Sequence, residues 1–450
     1  MKQQASYILH NGLVVTIDEQ SRILTNFSVV IKDTQIVAIE PASTVLEHWA
    51  AAELIDASNC LVMPGFVNTH SHVAMTMYRG FADDIPLKEW LENYIWPAEA
   101  SFATRPNIES ATQLALAEMM LAGTVMFADM YFHEDLIAET SQNAGMRMLA
   151  GEGIFDFPTP NCKTAAEGLA YTEDLIQKYA NNPLIHLSLA PHAIYTCSPE
   201  NLRLIKALSE KYQVPVQIHL SETQVEVNDS LQRFGKRPVK HMHDLGLFNQ
   251  NLIAAHMVHL TDEELELTAA QGVRITHNPQ SNLKLASGFA RVHEMLNRGV
   301  KVGLATDGTA SNNNLEMLRE MRTASMVQKA LYNDPTACNA KQMVEMATLG
   351  GARVLGMDQH IGSIEVGKDA DVLIANLDQI HLLPLYNIYS HIVYSMQSSD
   401  VQSLFIHGKL VMHKRNLLTL DVQAIKQRIK PVSDAIKQQF FHFNHNQNLH

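Results

Sequence analysis

Eight short apolar runs rich in β-branched residues alternate with longer amphipathic stretches between Leu61 and Asp307. The runs are "LVMPGFVN", "TVMFADMY", "MRMLAGEGIF", "LIHLSLAP", "VPVQIHL", "LIAAHMV", "VRITHN" and "VKVGLATD". Each suits a strand buried on both faces, whereas "PENLRLIKALSEKY" places Leu202, Leu204, Ile205 and Leu208 at helical spacing. Eight strand–helix units over roughly 300 residues match a closed barrel better than an open doubly wound sheet. The predicted class is therefore α/β, with a (β/α)8 TIM-type barrel over residues 62–362. No G-x-G-x-x-G or G-x-x-x-x-G-K-[ST] loop points to a nucleotide-phosphate site.

Residues 1–61 read differently. "YILHNGLVVTID", "FSVVIKDTQIVAIE" and "ELIDASNCLV" are strands punctuated by turns, with a turn predicted at Asn11-Gly12. Residues 363–420 return to this pattern in "GSIEVGKDADVLIANL" and "VQSLFIHGKLVMHKR". Together the two segments predict one small discontinuous β-sandwich domain. Residues 421–450 read as a helical tail, interrupted around Pro431 and ending in a frayed polar terminus.

With 46% hydrophobic and 18% charged residues, the chain has the composition of an ordinary globular protein. A net charge of −13 without any Lys/Arg cluster argues against nucleic acid as a partner. The N-terminus does not resemble a secretory signal, and the most apolar stretch, "LALAEMMLAGTVMFADMYF", is broken by Glu118, Gly123 and Asp129, against a membrane span. Four cysteines far apart, with no C-x-x-C pair, fit reduced thiols in the cytoplasm. The expected partner is a small molecule, and Met-rich helices such as "NLEMLREMRTASMV" suit a core or the interface of a homodimer or higher homo-oligomer.

In a barrel the C-terminal strand ends carry the chemistry. Here His70 and His72 close the first run, His219 the fifth, His256 the sixth and Asp307 the eighth. Imidazole and carboxylate ligands suit Zn²⁺ and neighbouring divalent metals such as Fe²⁺ and Mn²⁺, so the set predicts a one-metal hydrolytic centre. Glu222, three residues past His219, is suited to proton transfer; the alternative is a solvated loop glutamate. Asn278 and Asn282 in "THNPQSNLKLASG" fit a pocket wall, although turn chemistry alone accounts for them.

"PGFVNTHSH", "HLSET", "AAHMVHL" and "ATDGTASNNNLEM", in this order, resemble the amidohydrolase superfamily. More narrowly they resemble its 5′-methylthioadenosine/S-adenosylhomocysteine deaminase branch, a neighbour of the triazine hydrolases and guanine deaminases. The resemblance implies that His70, His72, His219 and Asp307 hold one divalent metal, generally zinc, and that His256 contacts the reacting oxygen. It also implies that Glu222 shuttles a proton and that Asp307 accepts one from water. Trp90 and Glu99 would close over a nucleoside, with Glu99 on the ribose hydroxyls, and His192 would touch the substrate; core packing and a solvated charge are the alternatives. Arg147 matches an arginine that reads the amino-acid tail of S-adenosylhomocysteine, or else it forms a salt bridge at the start of its strand. The apolar "EGIFDFPTPNCKT" lacks a second arginine, which favours methylthioadenosine. A relative acting on guanine, another nucleobase or a chlorotriazine, and an inactive barrel that only binds, are the competing readings.

Overall fold

The computed structural model describes residues 2–441, so the polar end expected to fray lies outside the described residues. Nine strands form one sheet. Its N-terminal members are Gln3–Val15, Ile23–Lys32, Gln35–Pro41, Trp49–Asp56 and Cys60–Pro64; Val372–Asn376, Val401–Ile406, Lys409–His413 and Asn416–Leu417 complete it. The two halves meet where Cys60–Pro64 pairs antiparallel with Val372–Asn376. Alternation along the strands sends Leu9, Val29 and Ile31 into one buried cluster. Ile8 and Val30 go into another, with Val45 of the helix Ala42–His48.

Two local expectations change here. Asn11-Gly12 does not turn the chain: Gln3–Val15 is one strand with a bulge between Leu9 and Gly12, and Asn11 has φ 65°. Ser28 Oγ on the neighbouring strand accepts the Asn11 N–H at 3.3 Å, so the irregularity is absorbed without ending the strand. The run "LVMPGFVN" is likewise split. Leu61–Pro64 belongs to the nine-stranded sheet, and the barrel begins after Gly65, where an added Cβ would lie 2.1 Å from Val125 Cγ1.

The barrel strands are Phe66–Ser71 (strand 1), Thr124–Asp129 (2), Arg147–Ala150 (3), Ile185–Leu187 (4), Val216–Leu220 (5), Leu252–His256 (6), Arg274–His277 (7) and Lys301–Leu304 (8). Strands 1–4 pair in parallel in chain order, and so do strands 5–8. Leu189 joins the two runs, donating its N–H to Pro215 O (2.9 Å) and accepting from Gln217 N–H (2.8 Å). On the other side Asp307 N–H reaches His70 O at 3.1 Å and Thr306 N–H reaches Asn68 Oδ1 at 3.0 Å. Strand 1 is thus held against the end of strand 8, and with it the first two histidines.

The final helix, Val422–Phe441, runs without a break through Pro431. Pro431 is exposed, so water can satisfy the carbonyl that loses its partner, while Ile425, Val432 and Ile436 keep a buried stripe facing the barrel. Phe440 packs edge-on against Phe81, ring centroids 5.1 Å apart, and Gln439 reaches Ser101 Oγ at 3.3 Å. No helix among the described residues is long and apolar enough to cross a membrane.

Candidate active site

His70 and His72 leave the end of strand 1 toward the barrel axis, and Asp307 leaves strand 8 beside them. His72 Nε2 lies 3.2 Å and His70 Nε2 3.5 Å from Asp307 Oδ1. His219, from strand 5, brings its Nε2 to 3.1 Å from His70 Nε2 and 3.3 Å from His72 Nε2. His256, from strand 6, joins the group: one ligand atom each of His70, His219, His256 and Asp307 fall within 4.8 Å of one another. His256 and Asp307 both adopt left-handed backbone, φ 74° and 61°, at their strand ends. Strained geometry of this kind at non-glycine residues persists only where surrounding contacts enforce it.

The nitrogen tautomers decide what this cluster suits. His72 Nδ1 donates to Met130 O (2.6 Å) and His219 Nδ1 to His192 O (2.7 Å). With both Nδ1 protons engaged, the Nε2 atoms that face each other at 3.3 Å are free to present lone pairs once His72 gives up its Nε2 proton. Two acceptors at that distance repel unless a proton or a metal ion lies between them. Ligands about 2.0–2.1 Å from a tetrahedral ion are roughly 3.3 Å apart, so the donor set fits a divalent metal. Burial pushes His70 down to about 4 and His219 well below its usual range, which keeps both imidazoles neutral and able to coordinate. Burial also opposes charge on His72, but Asp307 beside it raises it to about 9, so a metal displaces a proton there. Ser281 Oγ (2.6 Å) and Ser311 Oγ (3.1 Å) hold Asp307 Oδ2, leaving Oδ1 for the cluster.

Around this centre one pocket is lined by His72, Trp90, Glu99, His192, His219, Glu222, His256 and Asp307. Glu222 is buried, so it is not a solvated loop residue, and burial raises its pKa. Its Oε2 is 3.8 Å from His256 Nε2. Asn282 Oδ1 accepts from His256 Nδ1 at 2.7 Å, a role beyond turn chemistry for that asparagine. Trp90 and Glu99 lie on one helical stretch, Leu87–Phe102, with a π-helical turn at Leu91–Ile95 between them. π-turns of this kind recur at functional sites. Glu99 is buried; Tyr131 OH donates to it at 2.8 Å, yet burial still lifts it to about 7. His192 stacks on Phe155, centroids 4.7 Å apart, and burial lowers it to about 3.

Arg147 does not reach the pocket. It opens strand 3 and so lies at the opposite end of the barrel from the strand termini. Its guanidinium, 1% exposed, pairs with Asp371 (2.8 Å) and Asp369 (2.7 Å) next to the nine-stranded sheet. The expected contact with a substrate tail is therefore replaced by the salt bridge.

The amidohydrolase family model matches residues 61–411. This chain belongs to the amidohydrolase family. Within it, the 5-methylthioadenosine/S-adenosylhomocysteine deaminase of Syntrophobacter fumaroxidans is 44% identical over 434 residues, 96% of this chain and 99% of that one. This amidohydrolase falls in that deaminase branch. An adenosine deaminase from Xanthomonas campestris, solved with bound zinc, superposes with a TM-score of 0.96 at 37% identity, covering 97% of this chain and 100% of that one. The guanine deaminase of E. coli shares the fold, with a TM-score of 0.82 at 23% identity over 92% of this amidohydrolase and 100% of its own chain.

Sequence reading passed over Ser281, Ser311 and Tyr131, which orient Asp307 and Glu99. Serines in "PQSNLK" and "TASNNN" carry no signal that separates them from ordinary loop residues.

Proposed function

We propose that this amidohydrolase hydrolyses the 6-amino group of 5′-methylthioadenosine, giving the inosine analogue and ammonia. One observation carries the reading: Glu222 and His256 stand beside the His/Asp cluster at one end of a pocket whose other wall holds the buried pair Trp90 and Glu99. The centre supplies the hydrolytic end and the pair supplies a surface for a nucleoside, since indole stacks on a base and a carboxylate accepts from a diol.

His70, His72, His219 and Asp307 would hold the ion, zinc in our reading. When bound, a divalent ion supplies Lewis acidity that lowers the pKa of water from 15.7 to about 7. Glu222 delivers a proton to the ring nitrogen next to the amino-bearing carbon, which makes that carbon electrophilic. Asp307 takes the proton that water loses on adding to the ring. His256, fixed through Nδ1 by Asn282, presents Nε2 to the added oxygen and, when protonated there, stabilises its developing charge. Asp307 then returns its proton to the departing ammonia, and the hydroxyl proton of the adduct passes to Glu222, restoring the one it gave to the ring. Replacing Glu222 by Gln should lower kcat by at least roughly 10²-fold with metal content intact; a variant that keeps more than a few per cent of the rate would remove Glu222 from this scheme.

The preference for a methylthio group over an amino-acid tail rests on the cations near the mouth. The inner pocket is lined by Trp96, Phe132, Phe155 and Leu87 and by no lysine or arginine. In the outer cleft Lys88 pairs with Glu92, Arg233 with Asp229 and Lys284 with Asp83. Each cation thus faces its own carboxylate rather than a ligand's. The deciding experiment is ammonia release from methylthioadenosine, S-adenosylhomocysteine, adenosine and guanine, with and without a chelator. A higher kcat/KM for methylthioadenosine, lost on chelation, is expected. Equal or better use of S-adenosylhomocysteine would refute the substrate preference, and turnover of guanine alone would refute the nucleoside reading.

A further inference from the structure

Glu222 does not face the pocket as a free carboxylate. The loop after barrel strand 7 brings Ser287 against it, Oγ donating to Glu222 Oε1 at 3.1 Å, with both side chains buried. The other oxygen, Oε2, is the one turned toward His256. We propose that Ser287 is a positioning residue for the proton transfer carried out by Glu222, blocking Oε1 so that the travelling proton is carried on Oε2. This rests on Glu222 being the proton carrier of the proposed reaction.

The loop is built to hold that hydroxyl in place. Ser287 N–H donates to Asn282 O at 2.8 Å, and Asn282 is the residue that fixes His256. Ser287 O accepts from His259 Nε2 at 2.7 Å, which ties the serine to the segment after strand 6. The flanking residues adopt positive φ, Ala286 at 53° and Gly288 at 124°. At Gly288 a Cβ would also come within 3.0 Å of Val258 Cγ1, so the turn that presents Ser287 depends on glycine there. From the other side Glu226 accepts the N–H groups of Ser221 (2.9 Å) and Glu222 (2.8 Å), fixing the backbone from which the carboxylate extends. Backbone and side chain of Glu222 are therefore held separately, the one by the helix Gln224–Phe234 and the other by the loop of Ser287, and Ser287 alone among the described residues is hydrogen-bonded to its carboxylate.

The chemistry explains why one oxygen is engaged and not both. A carboxylate that carries a proton between water and a ring nitrogen has two equivalent oxygens, and only one of them can lie in line with both partners. A donor on Oε1 occupies that oxygen, so the arriving proton is carried on Oε2. The proton on Ser287 is not transferred: it remains on Oγ while Glu222 alternates between charged and neutral. Misplacement of a catalytic group by about 1 Å costs on the order of 10²-fold in rate, and a hydrogen bond to a charged group is worth roughly tenfold or more.

The test uses the full chain loaded with zinc, assayed with methylthioadenosine, comparing wild type with Ser287→Ala, Ser287→Thr and Glu222→Gln. Ser287→Ala should lower kcat roughly tenfold or more, with KM within about twofold and zinc content and Tm unchanged. Ser287→Thr, which keeps the hydroxyl, should recover most of kcat. An alanine variant with wild-type kcat, while Glu222→Gln is inactive, overturns the role of Ser287 and leaves that of Glu222 standing. An active Glu222→Gln overturns the proton-carrier reading itself. An alanine variant that loses zinc or Tm in step with activity, and is not rescued by threonine, makes Ser287 a merely structural residue and also refutes the proposal.

Discussion

Glu99 offers a test in which stability and function move in opposite directions. Its carboxyl is buried with Tyr131 OH as hydrogen-bond partner, and burial raises it from 4.5 to about 7. In the unfolded chain the same group ionises near its ordinary value. Between about pH 4.5 and 7 the folded state therefore holds a proton that the unfolded state has lost. The stabilisation associated with this proton is complete below the unfolded value and is lost as pH rises through the folded one. A move from 4.5 to about 7, at about 1.4 kcal/mol per pH unit, makes ionised Glu99 cost about 3 kcal/mol above pH 7. Glu99→Gln keeps an oxygen for Tyr131 but cannot ionise. The variant should match wild type in Tm near pH 4.5 and exceed it at pH 8 by about 3 °C, taking an unfolding entropy of about 2 cal/mol/K per residue. Scanning calorimetry of both proteins at several pH values measures the difference directly, and shifts common to both cancel. The substitution should also raise KM for methylthioadenosine roughly tenfold or more, because an amide is a weaker acceptor for two ribose hydroxyls than a carboxylate. Parallel Tm curves from pH 4.5 to 8 would refute the burial account, and an unchanged KM would separate Glu99 from the ribose.

Other perturbations have equally definite outcomes. Replacing His70 or His72 by Ala should lower bound metal and activity together, measured by elemental analysis and ammonia release; full metal content in either variant would remove that residue from the ligand set. Arg147→Met should destabilise the fold by about 3–5 kcal/mol by leaving Asp369 and Asp371 buried without their cation, while KM values of the residual folded enzyme stay as in wild type. A selective rise in KM for S-adenosylhomocysteine in that variant would reinstate the substrate contact. Asn282→Ala should lower kcat roughly tenfold by freeing the His256 ring, with zinc content unchanged; loss of zinc instead would place His256 among the ligands.

The His/Asp cluster of the barrel was legible because its residues share a position that sequence reveals, the ends of apolar runs. Histidines at i and i+2 on one strand, and a single His or Asp closing each of three others, converge only if the strands form a ring, and the structure brings all five into one cluster. Arg147 shows the converse. It begins a run rather than ending one, and strand polarity alone places it at the far rim, where Asp369 and Asp371 await it. The hydrogen-bond partners of the site were not legible for a different reason. Ser281 and Ser311, in the short helices Pro279–Lys284 and Thr309–Asn312, and Ser287, in a loop, each offer a single hydroxyl in stretches that read as turns, and nothing periodic distinguishes them. At Asn11-Gly12 and at Pro431, tertiary packing overrode local turn and breaker chemistry.

The unbroken final helix bears on how the protein is made. Phe440 lies against Phe81 and Phe102, and Gln439 against Ser101, the last two of these partners in the stretch that carries Trp90 and Glu99. Synthesis proceeds from the N-terminus at roughly 5–20 residues per second, so the pocket wall emerges many seconds before the residues that back it. Until the helix Val422–Phe441 is made, that wall lacks its outer support, and a chain truncated before Val422 never acquires it. The wall that holds Trp90 and Glu99 thus gains its backing from a helix made long after it.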